Sequence, residues 1–302
     1  MKRISFYFYR LLLWLTAGLS DRGIQVLSGI GFFVLYRLLG YRKNVARSNL
    51  KKCFPDLSEK EIKQKLKSFY QYLAELFVQT MKVSRASEAY LKAHGPTLNP
   101  DILDELYEKN GSAIVLMGHY GNWELCGITM NLFFKHRCMV VYQKIANPYI
   151  HDEVIKNRTR TGLHLISTEE VVRKKEEIFR EPTLLFLIAD QNPKKVNSAY
   201  WVDFFGNNLP WFSGPEKTAI RNKLPVFFGD IRREKSLYYS LTVDELNYNP
   251  LKKGDLTEKF VRRLEQQIEN DPIPWLWTHK RWKRAHLYDA EKHYKVDAHQ
   301  MD

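Results

Sequence analysis

An apolar run, Ala113–Met117, stops at Gly118, and His119, Tyr120 and Gly121 lead into Asn122 and Glu124. The run predicts a strand, the glycines a turn, and Asn122 the start of a helix. His119 then stands at the mouth of a sheet, where α/β proteins tend to bind ligands. Glu124 falls in the first helical turn, from which it can fold back toward the imidazole. A carboxylate on one ring nitrogen fixes the tautomer and stabilises the imidazolium, leaving the other nitrogen to take a proton from a hydroxyl. That is the base and the orienter of a triad whose nucleophile is the substrate. The same residues also have a plain structural reading. Asn122 caps a helix, Glu124 suits the positive end of its dipole, and His119 is a loop residue. The H-x4-E spacing alone does not choose between the two.

Other chemistries lack their patterns. H-E-x-x-H is absent, and the remaining histidines have no metal-ligand spacing. Ser213-Gly214 does not sit in G-x-S-x-G, and the glycines form neither a P-loop nor a dinucleotide fingerprint.

Positioning His119 requires a sheet, and the chain predicts one. Strands are expected at 113–117, 138–142, 163–166, 183–189, 225–231 and 237–243. Helices are expected at about 99–109, 122–134, 147–161, 169–180, 214–222 and 256–270. This alternation predicts an α/β fold, a central sheet covered by helices. Upstream, Ser58 and Glu61 have capping-box spacing and open a helical pattern to about Lys82. Beyond Arg284 the chain turns polar and charged, the composition of a poorly ordered tail.

Two apolar runs, 4–19 and 24–40, precede all of this, broken by Arg10 and Arg37 and separated by Asp21-Arg22-Gly23. Each is short of the roughly 20 apolar residues of a spanning helix. Arg10 and the lack of a small-residue cleavage site argue against a signal peptide. The runs predict a membrane anchor, either one span or a helical pair lying in one leaflet. Arg42, Lys43, Arg47, Lys51 and Lys52 follow at once and place the remainder on the cytoplasmic side. The predicted organisation is an anchor at 1–41, a catalytic domain at 42–290 and a polar tail at 291–302.

The formal charge of +13 favours an anionic partner. Zinc-finger, RNP-type and basic-zipper patterns are absent, which ranks a membrane or an acidic protein above nucleic acid. Cys53, Cys126 and Cys138 are odd in number and lack C-x-x-C, as suits a reducing compartment.

G-H-Y-G-N-W-E, then Tyr142, then Asn147-Pro148, resembles the lipid A biosynthesis acyltransferases, the late lauroyl and myristoyl transferases. In the same order come Arg158 and Arg160 before Gly162, Asp190-Gln191 at a strand end, and Phe204-Phe205-Gly206 before Gly214-Pro215. Pro272 and W-L-W-T-H-K-R-W-K (275–283) are similar to the family's closing signature. Asn49-Leu50 and Phe54-Pro55 also fit, so the resemblance spans nearly the whole chain. Gln143-Lys144 stand where the family commonly has Arg-Pro, and Gln191 where enterobacterial members usually show histidine. Those departures bear on the acceptor and the chain length.

The resemblance implies a mixed sheet of the glycerolipid-acyltransferase kind. It also implies transfer of a fatty acyl chain from acyl carrier protein to a hydroxyl of an anionic lipid A precursor, without a cofactor. The setting would be the cytoplasmic face of the bacterial inner membrane. His119 would act as base and Glu124 as its orienter. Asn122, Tyr142, Arg158, Arg160, Asp190 and Arg281 are the candidates for substrate binding. Arg158 or Arg160 would donate to the oxyanion or bind a phosphate, and Asp190 would position a basic group or the acceptor. Arg281, Lys283 and Arg284, beside Trp275, Trp277 and Trp282, suit a patch facing the membrane or the carrier. A lysophospholipid or amino-lipid acyltransferase and a non-catalytic membrane-binding relative are the alternatives.

Overall fold

The computed structural model describes residues 2–174 and 177–296. Its first third is helical: α1 (Lys2–Ala17), α2 (Asp21–Phe32, continuing as a π-helical segment to Leu38), α3 (Lys43–Cys53), α4 (Glu59–Val83) and α5 (Glu88–His94). The capping box is present: the Ser58 hydroxyl accepts from the Glu61 N–H, and the Glu61 carboxylate accepts from the Ser58 N–H.

Alternation then begins. A 3-10 turn (Pro100–Leu103) leads through α6 (Asp104–Glu108) to β1 (Ala113–Met117), α7 (Trp123–Thr129) and β2 (Arg137–Tyr142). Next come α8 (Pro148–Thr159), β3 (His164–Ser167), α9 (Thr168–Arg173) and β4 (Thr183–Ile188). The last elements are β5 (Tyr200–Phe204), β6 (Asn207–Trp211), α10 (Gly214–Asn222), β7 (Val226–Lys235), β8 (Tyr238–Glu245) and α11 (Asp255–Asn270).

Six strands form one sheet in the order β3-β2-β4-β1-β7-β8, with β8 antiparallel to β7 and the other pairings parallel. The α/β class and the mixed sheet are therefore as expected. β1 and β4 are neighbours at its centre, and β1 is buried at every position. The chain leaves β1 toward β2 and leaves β4 toward β7, in opposite directions across the sheet. Their carboxyl ends thus flank a topological switch point, the place where α/β sheets bind ligands.

Three departures from the expected elements have local causes. β5 and β6 form a separate antiparallel hairpin. Phe205 and Gly206, both at positive φ, make its tight turn, the requirement of a primed hairpin turn. The helix expected over 169–180 is confined to α9; Lys175 and Glu176 lie outside the described residues. The chain beyond Arg284 packs instead of trailing away: Lys295 bridges to Trp201 and Val296 is buried. Of the expected tail, 297–302 lie outside the described residues.

The N-terminal helices are docked on the catalytic fold rather than set apart from it. α1 packs on α4 and α8, and α2 packs on α4. Leu13 and Ile24 are fully buried in those contacts. Lys82 Nζ donates to the Ala17 carbonyl at 2.6 Å, and Asn147 donates to the Lys2 carbonyl at 2.9 Å. The outward faces are apolar: Ile4, Tyr7, Phe8, Leu11, Trp14 and Leu15 on α1, then Val26, Ile30 and Phe33. Among the described residues no single helix is long and apolar enough to cross a membrane. Asp21–Leu38 with Lys43–Cys53 passes that test only as a pair bent by 90°.

Candidate active site

The register of β1 and β4 builds the site. Met117 pairs with Ile188, and the Ala189 N–H still bonds the Met117 carbonyl at 2.9 Å. Two residues farther on each strand stand His119 and Asp190. His119 Nδ1 and Asp190 Oδ1 are 2.6 Å apart. The other carboxylate oxygen, Oδ2, accepts the His119 backbone N–H at 2.9 Å and the Trp275 indole N–H at 2.9 Å. Asp190 is almost fully buried. Burial pushes its carboxyl up, but the charge of His119, its two hydrogen bonds and that of Trp275 outweigh burial and hold the carboxyl down at about 2.

The loop that carries His119 is fixed from several sides. The Gly121 N–H bonds the Pro274 carbonyl, and the Leu276 N–H bonds the His119 carbonyl. The Tyr72 hydroxyl donates to the Gly121 carbonyl at 2.6 Å. Gly121 has φ +58, and a Cβ there would stand 2.3 Å from Ile231, so glycine is required on both counts. Asn122 is fully buried; its Oδ1 accepts the Leu125 N–H and its Nδ2 donates to Gln79. The helix-cap reading of Asn122 is what the structure displays.

Glu124 does not fold back onto His119. Its carboxylate is held by Arg158 through both Nε, at 2.9 Å, and Nη2. The reason is geometric: Asp190 is brought to the imidazole by strand register, whereas Glu124, on α7, faces α8 and meets the Nε–Nη2 side of the guanidinium. The expected orienter and the expected oxyanion donor are therefore each other's partners, and the carboxylate on the imidazole is Asp190.

His119, Trp123, Glu124, Tyr142, Arg158 and Gln191 line a cavity of about 890 Å³. Its remaining wall is mostly apolar, including Ile128, Val140, Leu165, Leu185, Leu187 and Phe212. That volume lies within the range of about 300–1,000 Å³ typical of small-molecule pockets. Gln191 Nε2 stands 3.2 Å from His119 Nε2. In the neutral tautomer whose Nδ1–H donates to Asp190, Nε2 carries the lone pair and accepts from the Gln191 amide.

Arg160 and Arg281 lie elsewhere. Arg160 donates to the Val83 carbonyl at 2.8 Å and is absent from the cavity wall. Arg281 is fully buried, with Nη1 on Asn192 at 2.8 Å, Nη2 on the Pro210 carbonyl at 2.9 Å and its guanidinium over Trp211. Trp275, Trp277 and Trp282 are buried too. The indoles and Arg281 of the expected patch are core, with Trp275 packing edge-on against Trp277, Trp282 and Phe204, whereas Lys283 is exposed and Arg284 half-buried. Sequence reasoning did not reach the Trp275–Asp190 bond or the cavity-lining Lys217 and Arg221. A strand-end Asp beside a strand-end His was the available signal for the pair. Among the described residues no group of three His, Cys, Asp or Glu stands where it could hold a metal ion.

His119, which lines a mostly apolar cavity, and the buried Asp190 behind it define an α/β protein with a histidine–carboxylate pair at the centre of its sheet. The chain belongs to the bacterial lipid A biosynthesis acyltransferase family, whose profile matches residues 2–284. A lipid A biosynthesis acyltransferase of Haemophilus influenzae is 20% identical over 269 residues, covering 84% of this chain and 82% of that protein. The protein is thus an acyltransferase of that family.

Proposed function

We propose that the protein moves a fatty acyl chain from an acyl carrier protein thioester to a hydroxyl of a lipid A precursor. His119 Nε2 takes the acceptor's hydroxyl proton, and Asp190 holds the imidazole in the tautomer that makes Nε2 the base. The oxygen attacks the thioester carbonyl, the tetrahedral intermediate expels the thiolate, and the imidazolium returns its proton to that sulfur. An ester and a carrier thiol result. The thioester is already activated, so the transfer needs no nucleotide. The acyl chain occupies the apolar cavity. Glu124 serves through Arg158, fixing that cation at the cavity wall for the oxyanion or for the acceptor.

The single observation that carries this reading is the 2.6 Å contact between Asp190 and His119, whose imidazole lines the cavity. The apolar outer face of α1 and α2 supports attachment as a helical pair lying in one leaflet. The Arg42–Lys52 basic cluster supports the cytoplasmic face of the inner membrane.

The test is an assay of the full chain in detergent micelles with acyl carrier thioester and three acceptors: a lipid A precursor, a lysophospholipid and an amino lipid. Mass spectrometry of the products should show the acylated lipid A precursor. Acylation of either other lipid alone overturns the acceptor; no acylation of any overturns the reaction.

A further inference from the structure

Among the described residues the cavity wall carries one carboxylate, Glu124, and it is occupied by Arg158. Two more cations, Lys217 and Arg221, line the same cavity from α10. They are four residues apart and so share one helix face. Among the described residues no carboxylate pairs with either. Lys217 Nζ stands 5.9 Å from the centre of the Tyr200 ring, and among the described residues lining the cavity these two cations have no carboxylate partner.

α10 is firmly placed. Glu216, one residue from Lys217 and nearly fully buried, accepts the Gly254 and Thr257 N–H groups and the Thr257 hydroxyl. That ties α10 to the start of α11, with Ala219 also buried. The two cations are exposed and are consequently presented from a fixed helix, on the wall of the space in which the acyl chain would lie.

We propose that Lys217 and Arg221 form an anion subsite for a phosphate ester of a substrate. An ammonium point charge beside a planar guanidinium fork suits a phosphate with several oxygens. The apolar cavity adjoining them selects an anion attached to a long hydrocarbon. The proposal rests on the acyl-transfer reading and deepens it. Two phosphates satisfy the chemistry: one on the acceptor sugar, and the phosphodiester of the carrier's prosthetic arm.

Full-length Lys217→Ala, Arg221→Ala and the double variant are assayed in micelles, with Arg221→Lys as a charge-preserving control. The acceptor is offered with and without its phosphate, and the donor as carrier thioester or as the phosphate-free acyl-N-acetylcysteamine thioester. The double variant should raise KM about ten- to hundredfold for the substrate whose phosphate is seated, in the range of a lost charge-assisted hydrogen bond. The rise should vanish when that phosphate is absent, and kcat should move less. A rise confined to the acceptor identifies the sugar phosphate; one confined to the donor identifies the carrier arm. Equal KM in variant and wild type for all four substrates overturns the subsite. Binding of dodecyl phosphate against dodecyl maltoside, read by calorimetry, separates this from failure of the reaction itself. Wild type should prefer the phosphate and the double variant should lose that preference; no preference in wild type overturns the proposal whether or not acyl groups are transferred.

Discussion

His119 and Asp190 stand side by side, each two residues beyond the paired Met117 and Ile188, and meet at 2.6 Å. Their alignment is a property of the sheet rather than of a flexible loop. It leaves the imidazole little freedom, because the same carboxylate also takes the His119 backbone N–H and the Trp275 indole. In the proposed reaction, preorganisation of this kind spares the cost of reorienting the base.

Glu124 and Arg158 should behave as one unit. Glu124→Gln and Arg158→Met are each expected to lower kcat/KM, with the double variant little worse than the more damaging single one. A coupling of about 0.5–3 kcal/mol, usual for residues in contact, is the expected outcome of the double-mutant cycle. Strict additivity would show that Glu124 acts independently of Arg158.

The pairing also marks where the sequence stopped being legible. All six strands of the main sheet follow from apolar runs, and α10 from its start at Gly214-Pro215 to its end at Asn222. Local pattern sufficed there because each element buries a face whose period is written in the chain. The carboxylate that meets His119 was not local. H-x4-E put Glu124 near His119 in sequence, but Asp190 arrives from 71 residues away through parallel pairing. The tryptophans misled for a related reason. Beside Arg281, Lys283 and Arg284 they resemble an interfacial patch, and only tertiary packing turns the indoles and Arg281 inward. The β5–β6 hairpin escaped notice because Asp203 and the Asn207-Asn208 pair break its apolar runs and Pro210 interrupts the second strand.

Arg281 should prove structural. Arg281→Met strands the Asn192 side-chain oxygen and the Pro210 carbonyl, at about 1–3 kcal/mol for each buried group left unpaired. A lowered Tm is expected, with the salt dependence of carrier encounter unchanged. An unchanged Tm together with a weakened salt dependence would return Arg281 to a surface role.

His279 gives a pH dependence of defined sign. Burial lowers its pKa, Asp190 opposes that, and Arg281, His119 and Arg42 add to it, leaving the imidazole at about 4 against 6.5 unperturbed. Its Nε2 accepts from the Asn192 amide at 3.3 Å, as a neutral ring does. Between those two values the unfolded chain binds the proton and the folded one does not, so stability rises with pH. The contribution is fully present above 6.5 and is lost as pH falls toward 4. Urea unfolding across that window should show a shallower slope for His279→Gln. An identical slope would remove His279 from the account.

The outward face of α1 should carry bilayer attachment. Leu11→Glu and Trp14→Glu alter exposed side chains, so folding should survive. Flotation with phosphatidylethanolamine–phosphatidylglycerol vesicles in high salt should show binding reduced about tenfold or more per substitution, given roughly 1.5–3 kcal/mol for burying one such side chain. Salt alone should not release the wild type, since screening leaves apolar burial intact. Release of the wild type by salt would contradict this face as the anchor.

Asp190→Asn tests the central claim most directly. It keeps the shape of the carboxylate and removes the charge that fixes the His119 tautomer. The measurement is the single-turnover rate of acyl transfer from carrier thioester to lipid A precursor, with folding checked by circular dichroism. The expected result is a folded protein slowed about a hundred- to ten-thousandfold, the range contributed by a positioned base, with the substrate affinity nearly unchanged. A folded Asp190→Asn protein that retains more than about a tenth of the wild-type rate, beside a Glu124→Gln protein that does not, would contradict the His119–Asp190 pair as the base.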